Sequence, residues 1–404
     1  MLSAQDAFQL ILETVKPASP EQRSLFEAWH CVLAEGTVSD LNIPPFDKAL
    51  MDGFAVISAD IQNGKATLLI QETIFAGSVP TVSLQSGQAS QIMTGAPLPE
   101  GADAVVQIEH CQIAEAARSV KIDTGPVSPG KNMLPQSSVL KEGAPVLATG
   151  TLLRPQEIGA LAETGSPSVM VRRAPTVAIL ATGDELVAPE ECPQPGQIRN
   201  SNEVMLHSQI LQADATPLPL GIARDEQNHL RSKIQEGLKS DFLLLSGGVS
   251  AGERDLVPAE LEQAGVKQIF HKVNLKPGKP LWFGVLERAD GAPCYIFGLP
   301  GNPVSSMVCF ELFVRTAIRQ FMGFPAPRPQ VLQARLCADF HSSGNRPTYQ
   351  PAHLEWIAGE AVVSPLKTMG SADLHSTVKA NSVALFPTGN QLYQTGLKVD
   401  VFLW

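Results

Sequence analysis

The 404-residue chain has little cysteine and arranges none of it for metal or disulfide work. Cys31, Cys111, Cys192, Cys294, Cys309 and Cys337 are scattered, with no Cys-x-x-Cys pair. That spacing excludes a zinc knuckle and a disulfide scaffold and points to a reducing compartment. Basic residues are in deficit, 30 against 40 acidic ones, for a formal net charge of −10. A nucleic acid would be repelled on average and is excluded as a partner. No apolar run approaches the length of a membrane span. The opening MLSAQDAFQLILETVK lacks a basic leader and a long apolar centre; it reads as a helix capped by Ser3 with Asp6, not as a signal peptide. The expected setting is cytoplasmic. GxxxxGK[ST], HExxH and paired histidine ligands are also missing, as are repeats and low-complexity tracts. P-loop and zincin chemistry are thereby set aside.

What the chain does have is concentrated between Leu243 and Asn302: three glycine-rich turns and a lysine cluster. The turns read SGGVSAGERD (Ser246–Asp255), KVNLKPGKP (Lys272–Pro280) and GLPGNP (Gly298–Pro303). Glycine there lets the backbone approach a ligand and leaves N–H groups facing it, as anion sites require. Glu253 and Asp255 offer carboxylates for a divalent cation, and Lys272, Lys276 and Lys279 offer charge for a phosphate. A phosphorylated small molecule with a metal is the first expectation.

Texture along the chain predicts the organisation. Residues 3–35 read as helical, broken at Pro17 and Pro20. From Ile43 to Val146 short strand-like runs alternate with Gly and Pro, a β-rich module. RPQEIGALAETG (154–165) returns to helix. From Thr176 to Phe324, TVAILAT, PLPLGIA, DFLLLSGG and CYIFGLPG alternate with helical patterns, predicting a parallel, doubly wound α/β sheet. Beyond the proline-rich 323–330, the runs VLQARL, HLEWI, SVALFP and VDVFLW predict a small β-barrel or sandwich.

In an open α/β sheet ligands sit beyond the carboxyl ends of the strands. Each predicted strand here is followed by unusual residues: Asp184 and Glu185, Arg224 to Glu226, the Gly247–Gly248 loop, and Pro300, Gly301 and Asn302, with Asn302 placed to cap the next helix. The expectation is an acidic, N–H-rich crevice with lysines nearby. Taken singly, each feature has a plain structural reading: a solvated helix start, a turn, a surface Lys-x-x-Lys. Only their convergence at one edge favours a site. Gly248-Val249-Ser250-Ala251-Gly252 also fits the GxSxG elbow of serine hydrolases, with His341, His353 and His375 as possible bases. In the β-rich module, PPFDKALMDGFAV and QIMTGAPLPEGADAVV read as turns, Asp52-Gly53 supplying a positive-φ residue.

PPFDKALMDGFAV, IMTGAPLPEGADAVV, ATGDEL, LGIARDE, SGGVSAGERD, LKPGKP and LPGNPVS resemble, in order and over nearly the whole chain, the motifs of the molybdopterin molybdenumtransferases, the bacterial MoeA and gephyrin E-domain family. The resemblance implies an elongated, discontinuous helical domain (1–43 and 140–173), a β-rich module (44–139), an α/β domain of the molybdopterin-binding type (174–324) and a C-terminal β-barrel (325–404). It further implies a homodimer whose active site is shared between subunits. The reaction would take adenylylated molybdopterin and molybdate, assisted by Mg²⁺, and release AMP. An upstream molybdopterin adenylyltransferase and acceptor molybdoenzymes would be its partners.

Carried over by motif, Asp52, Thr94, Glu185, Asp225 and Asp255 become the expected catalytic residues, with Glu185, Asp225 and Asp255 around the metal. Ser246, Gly247, Gly248, Ser250, Lys272, Lys276, Lys279, Pro300, Gly301, Asn302, Arg346 and Ser371 are the expected contacts to substrate, phosphate or molybdate. Three positions depart from the pattern: Ala49 stands for a serine, Asn200 for a commoner aspartate, and Pro351 for the second arginine of GRxxFxR, leaving Arg346 alone. A Ser250 hydrolase and a non-catalytic pterin-binding scaffold stay as the alternatives.

Overall fold

The four apolar runs read from the sequence become four adjacent parallel strands of one sheet. The computed structural model describes residues 1–61, 63–224, 226–248, 256–289 and 291–404. The chain divides into two units, Met1–Ala34 with Thr149–Arg154 and Met170–Trp404, and Glu35–Ala148 with Pro155–Val169.

In the first unit a six-stranded sheet runs in the order Thr216–Ala223, Thr176–Thr182, Phe242–Ser246, Pro293–Leu299, Trp282–Glu287, Lys267–His271. The first four strands are parallel; Trp282–Glu287 runs antiparallel to them, and Lys267–His271 pairs antiparallel with Trp282–Glu287. The all-parallel expectation is therefore corrected to a mixed sheet. The segment 267–287 conceals two strands because Pro and Gly dominate the lysine-bearing connection between them.

Alternation along the central strands explains why both faces are covered. Phe242 and Leu244 pack with Phe8, Ile11, Leu206 and Ile210 on one face. Leu243 and Leu245 pack with Leu230, Ile234, Val257 and Leu261 on the other. All four strand residues are fully buried, each contributing about 1.5–3 kcal/mol of transfer free energy. Helices thus lie on both faces, as doubly wound sheets require. At the amino end of the Phe242 strand, Asp241 takes two bonds from Arg173 (2.6 and 2.7 Å) and one from the Thr176 N–H (2.8 Å). Burial alone would raise this carboxyl, but those bonds hold it below its ordinary range.

The amino-terminal helix covers only Ala4–Thr14, with Ser3 Oγ accepting from Asp6 N–H as the sequence predicts. The helical reading beyond Pro17 is corrected: Pro20–Ser24 and Val32–Leu33 are strands flanking Ser168–Arg172. Backbone pairing with a distant segment overrides the local pattern there. The carboxyl-terminal portion is a closed five-stranded barrel, Val331–Leu336, Glu360–Pro365, Thr348–Ile357, Ser382–Phe386 and Lys398–Leu403. Its core is narrow, filled by Ala334, Ala352, Ala384, Val363, Val401 and Phe386 among others.

The second unit holds a six-stranded sheet, Ala104–Gln107, Gly53–Val56, Gln88–Ile92, Lys65–Ile74, Ser119–Asp123 and Cys111–Ala114, together with the helix Pro155–Glu163. Gly53 does not serve as a positive-φ turn residue. It opens a strand so close to its neighbour that a Cβ would lie 1.9 Å from the Val106 carbonyl oxygen. Among the described residues no helix is long and apolar enough to cross a membrane.

Candidate functional site

Strand ends at the carboxyl edge of the sheet open into a cleft of about 920 Å³, walled on its far side by the barrel. The sheet side supplies Thr182 and Glu185, Ser246 and Gly247, and Pro300, Gly301 and Asn302. The connection between the antiparallel strands supplies Lys276 and Lys279, and the barrel portion supplies Arg346, Pro351 and Ser371. Loops remote in sequence meet here because parallel strands all point their carboxyl ends one way.

The local geometry follows from the residue types. Gly247 and Gly248 have φ of 95° and 65°, backbone that L side chains seldom adopt. A Cβ on Gly247 would stand 2.7 Å from the Thr182 carbonyl oxygen, and one on Gly248 would stand 2.8 Å from the Thr182 hydroxyl. Glycine is thus required for the floor to close against the neighbouring strand. Asn202, in the first turn of the helix Ser201–Gln212, donates through Nδ2 to Ser246 Oγ and to the Gly301 carbonyl, each at 2.8 Å. This single amide fastens two of the ligand loops together.

Asn302 does not cap its helix. No side-chain capping bond forms, and its Nδ2 donates to Ser371 Oγ at 2.8 Å. Val304 N–H donates to the Ser371 carbonyl, so sheet loop and barrel loop are joined by two bonds. Arg346 donates through Nη1 to the Leu275 carbonyl at 2.7 Å, which holds its guanidinium over the lysine connection. Lys276 Nζ reaches the Ser343 carbonyl at 3.3 Å. Lys272, with φ of 72°, donates its backbone N–H to Leu281 and is not part of the cleft wall. The lysine trio therefore separates into two wall residues and one outside.

The described part of the expected crevice is mainly cationic. Among the described residues it carries Arg199, Lys276, Lys279 and Arg346 against one carboxylate, Glu185. An anion is what such a wall attracts. Arg224 supports it indirectly, donating to the carbonyls of Asp184 and Leu186. No group of three metal-ligating side chains occurs among the described residues. Asp225, Ser250, Glu253 and Asp255 lie outside those residues, so their placement is not described. Among the described residues no histidine lines the cleft; His353, for instance, is bonded to the Lys379 carbonyl at 2.9 Å. The wall therefore gives the GxSxG reading no described base.

In the second unit the MDG and MTGAP loops, read separately in the sequence, are brought together. Asp52 Oδ1 accepts from the backbone N–H of Thr94 (2.7 Å) and from its hydroxyl (2.8 Å). These two donors hold the Asp52 carboxyl below the usual carboxylate range. Ala49 anchors the pair from beneath, its N–H donating to Ala96 and its carbonyl accepting from Gly95. Residues 49 and 96 are fully buried in an apolar cluster with Ile74, Ile92 and Val105.

Sequence reasoning missed Thr182 and Asn202. A signal for Asn202 existed: it shares the buried face of its helix with Leu206, Gln209 and Ile210, and a polar residue at an inward position asks for a reason.

Three family models cover most of the chain: the MoeA N-terminal region (domain I and II) at residues 2–165, the probable molybdopterin binding domain at 178–320, and the MoeA C-terminal region (domain IV) at 333–404. The chain is 34% identical over 408 residues to a molybdopterin molybdenumtransferase of Bacillus subtilis, covering 100% of this chain and 94% of the relative.

The chain belongs to the MoeA family.

A molybdopterin molybdenumtransferase of Nostoc sp. is likewise 34% identical, with 99% and 93% covered. Among solved structures, the molybdopterin biosynthesis MoeA protein of Pyrococcus horikoshii superposes with a TM-score of 0.82 at 28% identity over the full length of both chains. MoeA membership accounts for the succession of a β-rich module, an α/β domain and a barrel, and sets the cleft among the molybdenum cofactor enzymes.

Proposed function

We propose that this chain is a molybdopterin molybdenumtransferase, inserting molybdate into adenylylated molybdopterin with release of AMP. The cationic wall of Lys276, Lys279 and Arg346, in the same cleft as the Asn302–Ser371 bond, is the observation that carries the reading. Molybdate is a compact dianion, and fixed donors in a partly enclosed cleft stabilise it and the phosphate charge that develops as AMP leaves. Glu185, with Asp225 and Asp255, would hold Mg²⁺. A hard oxygen donor at the cleft fits a cation that binds through one or two carboxylates plus substrate phosphates. When bound, the cation neutralises the pyrophosphate. Ser246, Gly247, Pro300 and Gly301 shape the opposite wall.

Asp52 and Thr94 complete the site from a second copy of the chain, in a homodimer working in the cytoplasm. Adenylylated substrate comes from a molybdopterin adenylyltransferase, and product passes to molybdoenzymes. Ionised Asp52 would orient the attacking oxygen. The test incubates the protein with adenylylated molybdopterin, Mg²⁺ and molybdate and follows AMP. Molybdate-dependent AMP, lost in Lys279→Ala, is expected; AMP release independent of molybdate would overturn the reading. Mixing Asp52→Asn with Lys279→Ala protomers should restore roughly a quarter of the wild-type rate if the site is shared. No restoration would place both residues in one subunit.

A further inference from the structure

Among the described cations of the cleft wall, Arg199 stands apart from the lysine connection. It is exposed and lines the cleft. It ends the short strand Ile198–Arg199, which pairs with Leu186–Val187 just beyond the Thr176–Thr182 strand. Ile198 N–H donates to the Glu185 carbonyl and Asn200 N–H to the Val187 carbonyl, so the backbone is tied on either side of Arg199. Its side chain is held at one point, Nε donating to the Glu191 carbonyl at 3.0 Å. The Glu191 carboxylate is itself engaged, accepting from the Ala188 N–H at 3.2 Å. Among the described residues Arg199 Nη1 and Nη2 make no hydrogen bond. A guanidinium anchored through Nε keeps the parallel N–H groups of its two Nη atoms open, the edge that matches two oxygens of a phosphate.

The other cations stand elsewhere along the sheet edge. Lys276 and Lys279 belong to the connection that enters Trp282–Glu287, and Arg346 is bonded to that connection at Leu275. In the sheet, Trp282–Glu287 lies three places from Thr176–Thr182. Strands ~4.8 Å apart put those two strand ends roughly 14 Å from each other. That exceeds the Debye length of about 8 Å at physiological salt, so a compact oxyanion at the lysines is largely screened from the far end. Glu185 also lines the cleft at that far end and repels a phosphate, and Arg199 is the cation described there to offset it. Resting on the transferase reading, we propose that Arg199 forms a second anion subsite, taking the phosphate ester of the organic substrate while the lysine end takes molybdate. The phosphate of an adenylate and that of a phosphorylated pterin share that chemistry.

Arg199→Gln tests this because it removes the charge and the fork at an exposed position. Calorimetric titration would use AMP, adenosine, molybdopterin and molybdate, one at a time at fixed salt and Mg²⁺, with the melting temperature of the free protein measured alongside. Loss of one charged contact to a ligand corresponds to about a tenfold or greater rise in Kd. That rise is expected for AMP or for molybdopterin and should shrink as salt increases. Molybdate affinity should change less than about twofold, and the melting temperature should stay level. Arg199→Lys should recover part of the loss, because it restores the charge without the planar fork. A penalty for AMP that is absent for adenosine assigns the subsite to the adenylate phosphate. A penalty confined to molybdopterin assigns it to the pterin phosphate.

Unchanged affinity for both phosphate esters overturns the subsite and leaves Arg199 a surface residue. A molybdate penalty as large as the ester penalty overturns it too, since a single field would then serve every anion. Equal losses for AMP and adenosine, with molybdopterin unaffected, would also overturn it, by showing a displaced loop in place of a lost phosphate contact. A wild-type protein that binds molybdate but neither ester overturns the transferase reading itself, and the subsite with it.

Discussion

Replacing Gly247 with alanine adds one methyl group at the floor of the cleft, and its cost can be worked from the backbone. With φ at 95°, any L residue is strained there, by about 1–3 kcal/mol. The new Cβ would also stand 2.7 Å from the Thr182 carbonyl oxygen. That atom belongs to the backbone of a buried strand and cannot swing aside, so about 1–3 kcal/mol of overpacking is added. Reduced freedom of the unfolded chain returns about 0.4–1 kcal/mol. The net loss is roughly 1–6 kcal/mol. Gly196→Ala is the control, because φ is 89° there but a Cβ meets nothing within 4 Å; strain alone leaves roughly 0–3 kcal/mol. Urea unfolding at constant m value compares the two. AMP release should collapse only in Gly247→Ala, because only that residue lines the cleft. Equal destabilisation of the two variants would show that the strand–turn approach at Thr182 carries no energy, and the close-packing account of the floor would be wrong.

Three further outcomes are expected. Lys276→Ala and Lys279→Ala should each weaken molybdate binding by roughly tenfold at low salt, and less as salt rises. Lys272→Ala should change it less than twofold, its side chain standing outside the wall; titration of the three variants decides. Because Thr94 holds Asp52 below the ordinary carboxylate range, AMP release should stay level as pH falls towards about 4 and decline only below it. In Thr94→Val that decline should begin at higher pH, and an unshifted profile would remove Thr94 from the role. Asp241 is depressed as well. Its anchoring of the sheet is complete above the unfolded carboxylate value of about 4 and is lost as pH drops through the lower folded value. Asp241→Asn should flatten the acid limb of stability against pH without altering substrate affinity.

The parts of this molecule legible in sequence are those in which local chemistry dictates local shape. Phe242 to Leu245 read as a buried strand, and Gly247 and Gly248 as a turn after it. The Asp52–Thr94 pairing was not legible from either loop, because it links residues 42 positions apart through backbone bonds at Ala49, Gly95 and Ala96. Likewise nothing in Lys272-Val-Asn-Leu-Lys276-Pro-Gly-Lys279 reveals that the first lysine is left out of the cleft wall, since that depends on an antiparallel strand pair to either side. Asn202 fell between the two cases. Its helical face was predictable, but its partners, Ser246 and Gly301, come from two other loops.

The three departures from the family pattern bear on whether this chain is a worn scaffold, and each is absorbed by its surroundings. Ala49 presents its side chain to an apolar cluster while its backbone alone ties the Asp52 loop to Gly95 and Ala96. A serine hydroxyl is therefore not needed to hold that pair. Asn200 caps its helix by accepting from the Glu203 N–H and gives its own Nδ2 to the Glu203 carboxylate at 2.7 Å. Glu203 is raised above its ordinary range by burial, and an aspartate at position 200 would bring a second negative charge against it. An asparagine is the residue that both caps and relieves. Pro351 is buried in the barrel wall, and its carbonyl still accepts from Leu366 N–H. The cation lost there leaves Arg346 fixed over the lysine connection by its bond to Leu275. Random decay would have left unpaired groups at these positions.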